Sequence, residues 1–362
     1  MSVDDDWDQF VSGKSILEEK DKDKCVLLEE DVPTPTPLYV STRTKIAFLN
    51  THVDNYLQLF WDIPITPYLS QQIGVIQKQT KFNSETPEQR DEILNKLSQV
   101  KEYKRQKIIM QIDKPNGRVK FKDNRKISIG LCSKDLLEPT KDTRAFFNTL
   151  VMIVRLQVNG AFKEFHTKLF NTGKVEIPGI KDSETFLQIM DFLVTFLQPF
   201  FNIPLKYNND EIESVLVNSN FDCNYFIQLE KMHEILMTKY QIQAIFDPCH
   251  YPGIQCSFYY YDGQINQTGI QHVSDSKKYK KESKLHPDTI RISFMIFRTG
   301  SVLIVGKIKN DNIKEDIYQY LVQLFRNEYP YVCAPLNSDG VQVKKKKKMK
   351  KRKLFYRWMD CN

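Results

Sequence analysis

Residues 162–197 read FKEFHTKLFNTGKVEIPGIKDSETFLQIMDFLVTFL, and residues 289–325 read TIRISFMIFRTGSVLIVGKIKNDNIKEDIYQYLVQLF. At an offset of 127 residues the two stretches share one pattern: a first apolar run, Phe-x-Thr-Gly, a second run ending at Gly179 or Gly306, and a helix-period segment. The runs are rich in branched and aromatic side chains, which suit a pleated strand. Gly173 and Gly300 supply the tight turns between them. In the segments that follow, Phe186, Met190 and Leu197 match Ile313, Ile317 and Leu324 on the buried stripe of an amphipathic helix. Strand–turn–strand–helix is common when it occurs once. The same unit twice, with its turn residues aligned, predicts an internal repeat.

Working outward, residues 43–50 (RTKIAFLN) have strand composition, and residues 53–65 (VDNYLQLFWDIPI) read as a short helix capped by Asp54 and stopped by Pro64. Between these and the first copy lies an insertion, about 66–145. Its charged helix spans 86–104, with Thr86 and Gln89 as a capping box, Pro87 at the first helical position, and a narrow stripe of Ile93, Leu97 and Val100. Such a helix should sit largely in solvent, as a partner surface or a clamp. A hairpin follows, KIIMQID then RVKFKD around Pro115-Asn116-Gly117, and then a further strand over 126–132.

Composition sets the class. Of 362 residues 41% are hydrophobic, enough for a sizeable core. No run approaches the roughly 20 apolar residues that span a bilayer, and the acidic start MSVDDDWDQF has no signal-peptide pattern. An intracellular protein without membrane association is expected. The seven cysteines include no CxxC pair, and Cys249, His250 and Cys256 do not have a zinc spacing. No Gly-rich phosphate loop, GxSxG, HExxH or metal-spaced acidic pair is present. The expectation is therefore no enzyme, no cofactor and no metal.

The net charge of +7 hides a polarity. Residues 1–31 carry eleven acidic and four basic residues, whereas 344–353 (KKKKKMKKRK) carry nine cations. Both ends are predicted to be disordered. Pro33, Pro35 and Pro37 form a stiff spacer, so ordered structure should begin near Tyr39. The basic run suits a nucleic-acid arm, an import signal or a non-specific electrostatic tail. The predicted division is 1–38 tail and spacer, 39–205 first repeat with its insertion, 206–335 second repeat, and 336–362 basic tail.

These motifs resemble the TATA-box-binding protein family. Leu169-Phe170-Asn171-Thr172-Gly173-Lys174, with Pro178-Gly179-Ile180-Lys181-Asp182-Ser183-Glu184, is similar to the family's Leu-Ile-Phe-x-Ser-Gly-Lys turn and Lys-Ser-Glu-Glu helix start. Met295-Ile296-Phe297-Arg298-Thr299-Gly300 and Val305-Gly306 form the second copy. Residues 146–156, 226–236, 246–260 and 46–60 are similar to further family stretches. The TATA-binding-protein-like factors of large nucleocytoplasmic DNA viruses look closer still, insertion included.

The resemblance implies an α+β saddle: two pseudo-symmetric repeats of curved antiparallel sheet with helices on the convex face. It also implies a transcription-initiation factor that bends double-stranded promoter DNA through the minor groove as a monomer. Such a factor recruits a transcription factor IIB-like factor and RNA polymerase subunits, in the host nucleus or a cytoplasmic viral factory, with packaging in the virion as a further option. A non-specific architectural or packaging protein is the alternative.

By motif position the intercalating wedges are Phe147 and Phe170, then Tyr251 and Phe297, with Phe146 replacing Phe147 if the register is one residue out. Met295, Leu303 and Val305 form the groove floor of repeat two. The matching positions of repeat one are Lys168, Glu176 and Pro178, a departure that argues against a standard TATA sequence as the preferred site. The family's paired asparagines have Thr42 and Ser214 as nearest counterparts. Phosphate contacts fall to Arg155, Lys174, Lys181, Arg298 and Lys307.

Overall fold

The computed structural model describes residues 32–114, 116–136, 146–271, 289–308 and 310–334. The acidic run 1–31 and the basic run 344–353 lie outside the described residues. In chain order the elements are β1 (Tyr39–Phe48), α1 (Tyr56–Asp62), β2 (Gly74–Ser84), α2 (Pro87–Gln99), β3 (Lys104–Asp113), β4 (Phe121–Gly130), β5 (Thr149–Val158), β6 (Ala161–Phe170), β7 (Lys174–Ile180) and α3 (Ser183–Leu197). The second half has β8 (Glu213–Asp222), α4 (Leu229–Thr238), β9 (Gln243–Ile245), β10 (Gly253–Tyr261), β11 (Thr289–Phe297), β12 (Ser301–Gly306) and α5 (Asp311–Val332).

All twelve strands join one sheet in the order β3-β4-β2-β5-β6-β7-β1-β8-β12-β11-β10-β9. Read outward from the β1–β8 junction, one side runs β1-β7-β6-β5 and the other β8-β12-β11-β10. The two halves therefore have one topology, related by a pseudo-twofold at the junction, and every pairing is antiparallel.

The backbone repeats this symmetry in detail. Leu49 N–H donates to Gly173 O and Cys223 N–H to Gly300 O, both at 2.9 Å. Val53 N–H donates to Asn171 O at 2.8 Å, and Ile227 N–H to Arg298 O at 2.9 Å. Gly173 and Gly300 have φ of 79° and 87°, and a Cβ on either would lie 2.2 Å from a carbonyl oxygen, of Thr51 or Tyr225. The aligned glycines are thus demanded by the same close approach in each repeat.

Alternation along the strands divides the sheet into a helix face and an open face. Ala47, Leu169, Val175 and Ile177 pack with Phe186, Met190 and Leu197 of α3 in one core. Phe294, Ile296, Val302 and Ile304 pack with Ile313, Ile317 and Leu324 of α5 in the other. The six helix positions matched in the sequence are all buried.

Several expectations change. The insertion placed within the first repeat adds strands to its sheet, which the sequence did not foresee: β2 pairs with β5, and β4 and β3 follow, as a three-stranded annex. Strand β2 was not anticipated, because Gln77, Lys78 and Thr80 are buried within it and break its apolar alternation. Lys78 also ties the annex to the repeat, its ammonium donating to Ile63 O at 2.5 Å and Trp61 O at 3.2 Å. Burial holds that lysine's pKa down to about 8.

Helix α2 starts as expected, with Thr86 Oγ1 accepting from Gln89 N–H, but ends at Gln99 rather than 104. It is mostly exposed, with Leu97 buried in the core that also holds Phe82, Ile127 and Ile129. The two strands expected over 118–132 are a single strand, β4. The N-cap of α1 is Asn55, not Asp54, and makes no side-chain cap bond. The proline spacer is docked on repeat two: Thr36 N–H donates to Asp222 O, and Tyr318 OH donates to Thr36 O. The described chain is thus tied to repeat two from Thr36.

Candidate nucleic-acid interface

The open face carries two aromatic pairs, each at the end of its repeat's hairpin. The ring centroids of Tyr251 and Phe297 lie 5.9 Å apart, and those of Phe146 and Phe170 lie 6.4 Å apart. The partner of Phe170 is thus Phe146, the alternative the sequence left open. Phe147 turns instead under Lys81, whose Nζ sits 4.0 Å from its ring centre. The cause is local: Asn148 adopts the left-handed region at φ 55°. The chain twists there, just before β5 begins. Both Phe146 and Phe147 are more than half exposed, unusual for large apolar rings.

The repeat-two pair is held by its surroundings. Residues 247–251 form a tight turn in which Tyr251 N–H donates to Asp247 O at 2.9 Å and Asp247 Oδ1 accepts from Cys249 N–H. Gly253 lies opposite Phe297, and a Cβ there would meet the Phe297 ring at 3.0 Å and Ile296 O at 2.7 Å. The missing side chain leaves room for the ring. Sequence reading passed over Gly253, since only the pairing register reveals what it faces.

Met295, Leu303 and Val305 occupy the open face, half-buried between fully buried core neighbours. Met295 pairs with Leu303, Leu303 with Asn220, and Val305 with Asn218. Asn218 Nδ2 donates to Thr42 Oγ1 at 2.9 Å across the β1–β8 junction. The polar pair at the centre of the face is therefore Thr42 with Asn218, not Ser214. Asn218 and Asn220 were not singled out from sequence, because β-bulges at the junction shift the register by which their face would be counted.

In repeat one Lys168 and Glu176 do face the open side, but as a pair: Lys168 Nζ lies 2.5 Å from Glu176 Oε1, and Lys174 Nζ lies 3.8 Å from Oε2. Two cations thus flank the carboxylate. Pro178 falls at a register break between β7 and β1, where Arg43 opposes Ile180 but Lys45 opposes Ile177. A residue without an N–H is tolerated at such an irregularity.

The expected phosphate contacts divide. Lys181 and Arg298 are exposed, the latter beside Phe297. Lys174 lies over the Phe170 ring, 4.8 Å from its centre. Lys307 is exposed and lies 3.4 Å from Glu213. Arg155 must be corrected. It is 7% exposed, and its guanidinium donates to the carbonyls of Pro67, Tyr68, Ser70 and Gln72. Those four acceptors belong to one loop, which Arg155 pins over the open face. Nearby, Asp135 accepts from Gln77 Nε2 at 2.7 Å and from Cys132 N–H at 3.1 Å. Ile76, Cys132, Ile153 and Tyr68 form a small cluster there. One corner of repeat one is therefore capped. His166 lies beside it, its pKa lowered to about 4 by burial and by the charges of Lys134, Lys168 and Lys126. Arg291, not anticipated, also lies on the open face and donates to Ser257 Oγ at 2.9 Å.

No protein-family model matches the chain. A TATA-box-binding protein-like protein of Acanthamoeba polyphaga mimivirus is 23% identical over 214 residues, covering 56% of this chain and 54% of that protein. The chain is similar to a TATA-box-binding protein-like protein. It spans about half the length of that curated relative. Among solved structures, the TBP of Methanococcus jannaschii aligns with 81% of this chain and 99% of its own, at 12% identity and a TM-score of 0.38. The two-repeat architecture rests on the strand order and the matched turn hydrogen bonds given above. Among the described residues no helix is long and apolar enough to cross a membrane.

Proposed function

We propose that this TATA-box-binding protein-like chain is a DNA-binding transcription-initiation factor. In this reading it binds the minor groove of promoter DNA, bends it, and presents its helix face to a transcription factor IIB-like factor and RNA polymerase. It acts as a binding protein, not an enzyme. The observation that carries the reading is the pair of aromatic couples, Phe146 with Phe170 and Tyr251 with Phe297, at pseudo-symmetric ends of one open sheet face. Apolar rings displayed this way serve as wedges: inserted between base steps, they replace base stacking with ring contact and kink the duplex. The half-buried floor of Met295, Leu303 and Val305 suits a minor groove, where readout depends on shape and apolar contact.

The test is fluorescence anisotropy with end-to-end energy transfer on A·T-rich and G·C-rich duplexes. The parent chain should bend A·T-rich DNA. Tyr251→Ala with Phe297→Ala should abolish the bend. Stacking of a ring on a base is worth about 1–3 kcal/mol, so affinity should fall roughly thirtyfold or more. Binding that is unbent, indifferent to base composition and unaffected by the double change would overturn the reading. It would favour the non-specific architectural role instead.

A further inference from the structure

Strand β3, KRQKIIMQID, is the last strand of the sheet on the annex side among the described residues. Nine of its ten residues are exposed. Ile108, Ile109 and Met110 at its centre are 48%, 46% and 43% exposed. A long edge with apolar side chains in the middle is a template for a further strand. Its charged residues restrict which strand can add, and in which register.

The strand complements itself. Laid antiparallel and end to end against a second β3, Lys104 opposes Asp113, Gln106 opposes Gln111, and Ile108 opposes Ile109. Arg105 then opposes Ile112, and Lys107 opposes Met110. Residues opposed in an antiparallel pair must share a sheet face. A regular strand fails this condition, because positions 104 and 113 would fall on opposite faces. The irregularity between Ile108 and Met110 restores the phase. Before it, Lys104 pairs with Ile129 and Gln106 with Ile127; after it, Gln111 pairs with Asp123 and Asp113 with Phe121. Those four β4 residues alternate onto the α2 side, as the shared core and the Arg90–Phe121 contact mark it. Lys104, Gln106, Gln111 and Asp113 therefore share the α2 side, and Arg105, Lys107, Met110 and Ile112 share the open side.

We propose that β3 is a self-association edge: two copies of the chain pair antiparallel through it, about a twofold axis at Ile108 and Ile109. Lys104 Nζ donates to Leu97 O, Ser98 O and Val100 O at the end of α2, at 2.8, 3.1 and 2.9 Å. These acceptors are neutral carbonyls, and Asp113 of the second copy brings a carboxylate to the same ammonium, twice per dimer. A shift of two residues either way separates the pair, so charge fixes the register. Arg105 and Lys107 contribute only their aliphatic stems, against Ile112 and Met110, and Arg105 keeps Asp135 at 3.7 Å. The contact is isologous, so it closes at two copies. The axis stands perpendicular to the sheet, which sets both open faces on one side. This goes beyond the DNA-binding reading and does not depend on it.

The test is sedimentation equilibrium of the full chain without DNA, over a concentration series. The parent should pass from one to two copies as concentration rises. Asp113→Lys sets like charges opposite each other at both ends of the interface, so its dimer dissociation constant should rise about tenfold or more. An equal melting temperature under dilute, monomeric conditions establishes that this variant is folded. Register is read by oxidative cross-linking of a Gln106→Cys chain mixed with a Gln111→Cys chain. Mass spectrometry should find the peptide linked between 106 and 111, and neither chain alone should give a link at its new cysteine. A parent that stays monomeric throughout overturns the proposal. A dimer indifferent to Asp113→Lys, or one that yields no link between 106 and 111, overturns it too and places the interface elsewhere. None of these outcomes bears on the bending reading.

Discussion

Glu176 is a carboxylate at the proposed groove floor of repeat one, and Lys168 and Lys174 both turn toward it. The pair is internally neutralised, which makes it compatible with a polyanion but leaves the two lysines engaged. Glu176→Gln should release them. Affinity for duplex DNA should rise several-fold, with the salt slope steeper by about one to two, as read by anisotropy over a salt series. His166 gives a stability prediction. Its ordinary pKa of 6.5 is lowered to about 4 in the folded chain. Above pH 6.5 the ring is neutral in both states and contributes nothing. Between pH 6.5 and 4 the unfolded chain takes up a proton that the folded chain refuses, so stability falls with pH, by up to about 3 kcal/mol. His166→Gln should flatten that part of the melting-temperature profile. An identical acid profile in the variant would show that His166 is not responsible. At this scale the structure sets Phe170, Tyr251 and Phe297, three of the four expected wedges, each beside another ring. The motif register chose Phe147 over Phe146, whereas the folded chain sets Phe146 beside Phe170 and Phe147 under Lys81.

Among elements, the capped corner is the most informative. Arg155 lies in a strand whose other buried members, Thr149 apart, are apolar, and its position beside the groove face makes it read as a phosphate ligand. The acceptors that satisfy it lie on a loop more than eighty positions away in sequence. Arg155→Met removes the shared donor of four carbonyls. It should destabilise the fold by about 2–4 kcal/mol, since orphaned buried acceptors carry their full desolvation cost. Urea unfolding measures this. Limited proteolysis should then cut first within residues 67–72. Loss of less than about 0.5 kcal/mol would mean that the loop is held by other contacts. Strand β2 was illegible for a related reason: its Gln77 and Lys78 find partners only once Asp135, Trp61 and Ile63 are brought to it. The hairpin over β3 and β4 was legible because its turn and its strand pattern are both local.

At the scale of the whole molecule, two repeats share one sheet, and the annex lengthens that sheet on one side only. A chain ending at Ser338 tests what the basic run 344–353 adds. It should bend A·T-rich DNA as the full chain does, while its salt slope becomes shallower, by anisotropy and energy transfer. Loss of bending would place the tail within the recognition surface. The sequence by itself determined the repeat, the helices that cover it, the turn glycines and three of the four paired rings. Those features depend on residue type and on spacings of a few positions, which twofold and 3.6-fold periodicity make visible. Only the tertiary structure decided that the insertion joins the sheet, that Arg155 pins a loop, that Lys168 and Glu176 neutralise each other, and that Thr42 meets Asn218. Each of these is a pairing between distant segments. Strand register and bulges fix which side chains share a face, and in this chain that information resides in the folded sheet.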